Sequence, residues 1–215
     1  MTQRVGARNE HTLSAVILAG GRSTRLGRDK AFLRLDGRPL VQRIIDTVAQ
    51  LASEVIVVAN DISLYESLDA RVVSDIYPGK GALGGIFSGL RAATNLYALV
   101  VACDMPFLNI SLLRYMRDLA PGYDLVIPRM GELTESLHAI YSQDCLPAIE
   151  RQLMDNDLRI AHLFPHVRVR YVELEEINLF DPEHLSFFNI NSQSDLEEAT
   201  AIWQRVQSDV PSGQR

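Results

Sequence analysis

Between residues 18 and 30 the chain reads Leu-Ala-Gly-Gly-Arg-Ser-Thr-Arg-Leu-Gly-Arg-Asp-Lys. Two glycines, Gly20 and Gly21, follow an apolar run, and Arg22, Arg25, Arg28 and Lys30 crowd the next nine residues. Glycines let a backbone approach a ligand closely and turn its amides toward it. Guanidinium and ammonium groups beside such a turn suit phosphate. The formal net charge of the chain is −6, so this positive charge is local. A local cluster suits a small anion and argues against nucleic acid, which rewards extended basic surface. The pattern is neither the Walker G-x-x-x-x-G-K-[ST] nor G-x-G-x-x-G.

Two carboxylates and two amides are the other candidates. Asp104 closes the apolar run Tyr97–Asp104. A carboxylate at the carboxyl end of a buried strand is placed to hold Mg²⁺, with triphosphate oxygens and waters completing the octahedron. Its alternative is a cap of the next turn. Asp75, after Arg71–Ser74, can accept hydrogen bonds from ribose hydroxyls or from guanine N1–H and N2–H₂. By spacing alone, the start of a turn explains it nearly as well. Gly79, Gly81, Gly84 and Gly85 read as a second flexible loop near it. Asn189 and Asn191 lie two apart in Phe-Phe-Asn-Ile-Asn, so on a strand their amides face the same way. Asparagines that cap helices or form turns are the alternative. Ser192 with Asp195, or else Ser194, would cap the following helix. Cys103 points away from Asp104 by strand alternation and reads as core. No Ser-His-Asp or Cys-His constellation is evident, and the five histidines show no metal-ligand spacing.

With these residues in place, the chain resembles a known family. Leu18–Lys30 is similar to the signature loop of nucleotidyltransferases that activate small molecules as nucleotide diphosphates. Within them it most resembles the molybdenum cofactor guanylyltransferases. The likeness continues through "VVSDIYPGKGALGGIFSGLRAA", "VVACDMPFLN", "SLHAIY" and "FFNINSQSDLEEA", in order from about Ser14 to Ala199. It implies transfer of GMP from GTP to the phosphate of molybdenum-bearing molybdopterin, with pyrophosphate released. Such a reaction needs charge neutralisation and in-line placement more than a covalent nucleophile.

By this resemblance Lys30 neutralises charge at the α-phosphate and Arg25 meets the β- or γ-phosphate. Asp104 becomes the Mg²⁺ aspartate, and Leu18, Ala19, Gly20, Gly21 and Asp75 hold the nucleotide. Asn189 and Asn191 stand where metal, phosphates and pterin acceptor meet. Ala-Gly-Gly goes with guanine in these enzymes, where the cytidylyltransferases tend to have Ala-Ala-Gly. Arg22, Arg28 and Asn60 are open between solvent and site, and His138 is a candidate for touching the acceptor. Two departures stand out: Gly81-Ala82-Leu83 replaces a Gly-Pro-Leu, and Asp155–Ile160 lacks the expected glycine turn before its arginine. A CTP-dependent molybdopterin cytidylyltransferase, another small-molecule nucleotidyltransferase, or a nucleotide-binding regulatory domain without turnover are the competing readings. Molybdenum-insertion and molybdoenzyme-chaperone proteins are the implied protein partners.

Elements must carry these residues. Ser14–Gly20, Glu54–Asn60 and Tyr97–Asp104 are continuous apolar runs, the mark of strands buried on both faces. Arg71–Asp75 and Tyr123–Pro128 are shorter versions. Pro39–Ala52, Gly85–Ala93 and Ser111–Ala120 are helix candidates between them, the first with Leu40, Ile44, Ile45, Val48 and Leu51 on one face. This alternation predicts an α/β fold: one Rossmann-like domain with a mostly parallel sheet and helices on both faces. The second half is mixed, with strands at Ser136–Ser142, Val167–Leu174 and Phe187–Asn191 and helices at Gln143–Asp155 and Ser194–Gln207.

The expected organisation is a tail over 1–13, a domain over 14–207 and a second tail over 208–215. Residues 14–110 would serve mainly the nucleotide and 111–207 mainly the acceptor. Its 215 residues are enough to bury a core without staples. Only two cysteines among them point to a reducing cytoplasm. No run is long enough to span a bilayer and no signal-peptide core is seen, so no membrane partner is expected. A monomer or weak oligomer is expected.

Overall fold

The computed structural model describes residues 12–19 and 30–208. Gly20, Gly21, Arg22, Arg25 and Arg28 lie outside the described residues, as do 1–11 and 209–215.

The first half runs β1 (Leu13–Leu18), β2 (Arg34–Leu35), β3 (Arg38–Pro39), α1 (Leu40–Val48), β4 (Glu54–Ala59), β5 (Arg71–Ser74), α2 (Gly81–Ala92) and β6 (Tyr97–Ala102). The second runs α3 (Ile110–Leu119), β7 (Leu125–Met130), β8 (Leu133–Thr134), β9 (His138–Ser142), α4 (Leu146–Met154), β10 (Val169–Glu173), α5 (Leu174–Asn178) and α6 (Gln193–Ser208). The main sheet has the order β10-β7-β9-β6-β1-β4-β5, with β8 on β7. β1 is parallel to β4 and β6, β4 to β5, and β10 to β7. β9 is antiparallel to both β6 and β7. β6 and β7 therefore run the same way, and the carboxyl ends of all six parallel strands share one rim. Ligands of open α/β sheets bind at that rim.

Strand alternation divides the core. Ala15, Ile17, Leu99 and Val101 face α1, α3 and α5, packing with Ile44, Leu112 and Ile177. Val16, Ala98 and Val100 face α2 and α4, packing with Leu83, Ile86 and Ile149. This is the expected architecture of a mostly parallel sheet covered on both faces.

Two expectations are corrected. Gly81, Gly84 and Gly85 do not form a loop, because α2 starts at Gly81 and includes them. Only the entry turn needs left-handed backbone, at Gly79 (φ +82°) and Gly81 (φ +63°). Inside the helix, bareness serves packing. A Cβ on Gly89 would meet Val16 Cγ1 at 2.2 Å, and one on Gly85 would meet Leu18 Cδ2 at 3.2 Å. α2 thus lies close against β1, and tertiary contact overrides the weak helix propensity of glycine.

Phe187–Asn191 is not a strand either. Leu185–Phe187 forms a 3-10 turn and the following residues have no regular structure. The stretch is fixed by individual bonds instead of a ladder. The Asp181 carboxylate accepts from the amides of Leu185 (3.1 Å) and Ser186 (2.8 Å), and the Ile190 amide donates to the Asp104 carbonyl at 2.9 Å.

A small hairpin, β2–β3, escapes sequence reading because its strands have two residues each. Arg43 on α1 donates twice to the Leu35 carbonyl, at 3.0 and 2.6 Å, and its guanidinium lies 4.0 Å over the Trp203 ring of α6. Leu35, Leu40, Ile190 and Ala199 form a separate apolar cluster below it. The hairpin and α6 thereby clamp the segment that precedes Asn191.

Candidate active site

Three side chains from distant parts of the chain meet on the rim. Lys30 opens a 3-10 turn, Lys30–Phe32, held down by buried Ala31 and by Phe32 against Tyr65, ring centroids 5.0 Å apart. Asp104 lies just beyond β6, with its carbonyl bonded to the Ile190 amide. Asn191 follows Ile190, whose side chain is fully buried. Lys30 Nζ donates to Asn191 Oδ1 at 2.6 Å and to Asp104 Oδ2 at 3.2 Å. An ammonium has three donors, so these contacts leave capacity for another acceptor. The Lys30 and Asp104 side chains are 23% and 16% exposed, enough for a ligand to reach them and little enough for weak screening.

Asp104 Oδ1 is buried and has no hydrogen-bond partner among the described residues. An unpaired buried oxygen of a charged group costs more than the roughly 1–3 kcal/mol of a neutral one. A hard cation that takes oxygen ligands would relieve that cost, so the residues present fit a Mg²⁺ ion. No cluster of three or more His, Cys, Asp or Glu side chains able to hold a metal exists among the described residues. A single protein carboxylate matches a cation whose remaining ligands come from phosphates and water.

The two amides expected on one strand face part company. Asn191 turns to Lys30, whereas Asn189 Nδ2 donates to the Phe187 carbonyl at 2.9 Å. Asn191 is steadied by a reciprocal cap: the Asp195 carboxylate accepts from the amides of Asn191 (2.7 Å) and Ser192 (2.9 Å), and Ser192 Oγ accepts from the Asp195 amide (3.2 Å). The Asn191 amide, first among these contacts, holds the Asp195 carboxyl below its ordinary value. The sequence contained the cap, but not its use in aiming Asn191.

The other predicted residues line the same rim. Leu18 ends β1 and Ala19 follows it. The Leu18 carbonyl accepts from the Cys103 amide at 3.1 Å, and the Ala19 carbonyl accepts from Tyr65 Oη at 3.2 Å. Asp75 follows β5. Its Oδ1 accepts from the Tyr77 amide at 3.0 Å and lies 2.8 Å from Ser88 Oγ on α2. A Cβ on Gly84 would stand 3.3 Å from Asp75 Oδ2 and 2.9 Å from the Tyr77 carbonyl, so glycine leaves this carboxylate uncovered. Ser88 went unnoticed because a serine within a glycine-rich helix carries no signal of its own. Asn60 is exposed just after β4.

His138 does not reach the rim surface. It is fully buried, edge-on to Phe187 at 5.0 Å, and its ring nitrogens have no partner among the described residues. Burial pushes its pKa down to about 4 against the opposing pull of Asp181, so the ring is neutral near pH 7. Contact with an acceptor is therefore ruled out in this arrangement, and His138 backs the segment leading to Asn189. Cys103 packs in the core as expected. Burial pushes the Cys145 thiol up to about 12, leaving no thiolate at neutral pH.

Known proteins resemble this chain over most of its length. Residues 15–167 match the family described as "MobA-like NTP transferase domain". The chain belongs to that family. As a member, it is a nucleotidyltransferase. It is 39% identical over 189 residues to a probable molybdenum cofactor guanylyltransferase of Pelotomaculum thermopropionicum, covering 88% of this chain and 92% of the relative. The molybdenum cofactor guanylyltransferase of Desulfosudis oleivorans is 37% identical, with 88% and 95% covered. Among solved structures, the molybdopterin-guanine dinucleotide biosynthesis protein A of Archaeoglobus fulgidus superposes with a TM-score of 0.79. It is 27% identical, with 90% of this chain and all of that one covered. Among the described residues of the nucleotidyltransferase, no helix is long and apolar enough to cross a membrane.

Proposed function

We propose that this nucleotidyltransferase moves GMP from GTP to the phosphate of molybdenum-bearing molybdopterin, forming the guanine dinucleotide and pyrophosphate. The observation that carries the reading is the convergence of Lys30, Asp104 and Asn191, with one orphaned carboxylate oxygen, at the carboxyl rim of a parallel sheet. Names of relatives support the nucleotide and the acceptor.

An acceptor phosphate oxygen attacks the α-phosphorus of GTP. The bond between that phosphorus and the bridging oxygen breaks, and its electrons leave with pyrophosphate. Lys30 turns its ammonium to the α-phosphate and neutralises charge that grows in the transition state. Asn191 holds Lys30 in place meanwhile. Arg25 meets the β- or γ-phosphate. Asp104, whose Oδ1 has no partner among the described residues, would hold Mg²⁺, which would supply charge neutralisation and orientation of the triphosphate. Leu18, Ala19, Gly20 and Gly21 bind the nucleotide. Asp75 accepts from ribose hydroxyls or the guanine edge, and Asn189 stands on the acceptor side. Residues 14–110 serve mainly the nucleotide and 111–207 mainly the acceptor, in a cytoplasmic enzyme whose product passes to molybdoenzyme-directed proteins.

A thermal-shift panel with GTP, CTP, ATP and UTP, each with Mg²⁺, tests the nucleotide. Selective binding raises the melting temperature by mass action, worth about 2.7 kcal/mol at a hundredfold excess over Kd. A shift with GTP alone is expected. A shift with CTP alone assigns a cytidylyltransferase, and binding without pyrophosphate release from an acceptor mixture assigns a regulatory domain.

A further inference from the structure

A cavity opens on the same rim, at the ends of β7 and β10. Its volume is about 740 Å³, and Arg129, Glu132, Thr134, Phe164, Tyr171 and Glu175 are among its walls. Strands lie about 4.8 Å apart, so two to three strand steps put it roughly 10–14 Å along the rim from β6. A fused-ring acceptor whose phosphate lies near Asp104 would extend its rings over that distance.

The walls include a flat platform. Arg129 and Glu173 stand opposite in the parallel register, with Tyr171 two residues before Glu173 on the same face. The Arg129 guanidinium lies 4.0 Å over the Tyr171 ring, and its Nε and Nη2 both donate to the Glu173 carboxylate. Ring below and carboxylate beside fix the guanidinium plane, and the Arg129 side chain stays 38% exposed, which leaves room for a planar heterocycle to stack on it. Phe164 meets Tyr171 edge-on at 6.3 Å and supports the stack. The lining carries three carboxylates, on Glu132, Glu173 and Glu175, against one guanidinium. This balance disfavours an anion and favours a neutral ring with an N–H donor edge.

We propose that this pocket seats the pterin ring of the acceptor, stacked on Arg129, with its amino-pyrimidinone edge donating to the glutamates. The assignment rests on the acceptor reading above. The anionic phosphate end then lies toward Lys30, and the neutral donor end toward the acids.

The test is an NMR titration of the full chain with neopterin, a soluble pterin, run beside the GTP thermal shift. Saturable shifts are expected at the amides of Gly131, Thr134 and Glu175. Arg129→Ala is expected to weaken neopterin about tenfold, within the range of a desolvated cation–π stack. Glu175→Gln, an exposed change in the first turn of α5, is expected to weaken it severalfold without altering the fold, should Arg129→Ala lower stability. GTP stabilisation stays unchanged in both. Neopterin shifts elsewhere, or none to millimolar concentration while GTP still stabilises, overturn the pocket assignment and leave the nucleotide reading intact. Loss of both responses in the unaltered chain overturns the functional reading with it.

Discussion

Lys30 shows how little chemistry a residue carries until its neighbours are known. Its ammonium bridges Asp104 and Asn191. A triphosphate competes with those two acceptors, and the lysine can follow the charge over a short distance. Removing it deletes a cation aimed at the reacting phosphate, and removing Asp104 deletes the oxygen left unpaired. Lys30→Ala and Asp104→Ala are each expected to lower turnover by about two orders of magnitude or more, measured as pyrophosphate release. Turnover near that of the unaltered enzyme in either variant removes the assigned role. Melting temperature serves as the control, because neither side chain is a core residue.

At the scale of elements, the contact between α2 and β1 matters most to the rim. α2 carries Gly84 beside Asp75 and Gly89 against Val16. A Cβ at position 89 collides with Val16 at 2.2 Å, and a β-branched partner inside a strand has little freedom to yield. Alanine gains helix propensity over glycine, by up to about 1 kcal/mol. Overpacking at such a contact costs about 1–3 kcal/mol. Gly89→Ala is therefore expected to destabilise the protein in urea unfolding despite the better helix former. Because α2 also bears Ser88, which touches Asp75, the same change is expected to weaken nucleotide binding. Equal or higher stability would show that α2 retreats from β1 without strain.

Across the whole molecule, one carboxylate ties the acceptor-side edge together. Glu176 on α5 accepts from Arg170 of β10 (3.1 and 2.6 Å), from Tyr115 of α3 and from the Glu173 amide (2.9 Å). The Arg170 ion pair, against a desolvation penalty and with help from Tyr115, pulls its pKa from an ordinary 4.5 to about 2. A carboxylate depressed in the folded state stabilises fully above its unfolded pKa and loses that contribution as pH falls through the folded value. The Glu176 contribution is thus present above about pH 4.5 and lost toward pH 2. Glu176→Gln is expected to be less stable at pH 7 and to show a flatter decline across that acid window. Chemical denaturation at a series of pH values measures both. A parallel decline in the two proteins would place the acid sensitivity elsewhere.

Most of the architecture was legible in the chain, because buried parallel strands must be continuous apolar runs and their covering helices must be one-sided. Ser14–Gly20, Glu54–Asn60 and Tyr97–Asp104 announced the centre of the sheet, and Lys30 and Asp104 stood out by type and place. The rest depended on contacts that no local pattern encodes. Asn191 reaches Lys30 across 161 residues, and its neighbour Asn189 turns to its own backbone because no strand ladder holds the segment. His138 is taken out of consideration only by burial under Phe187. Gly84 and Gly85 look like part of a loop until Asp75, Tyr77 and Leu18 close beside them show why bare positions suit this helix. The Arg129–Tyr171–Glu173 platform joins two strands more than 40 residues apart. Local sequence determined which elements form, since periodicity and propensity act over a few residues. Tertiary structure decided which side chains meet, since strand order, register and burial are settled by long-range packing.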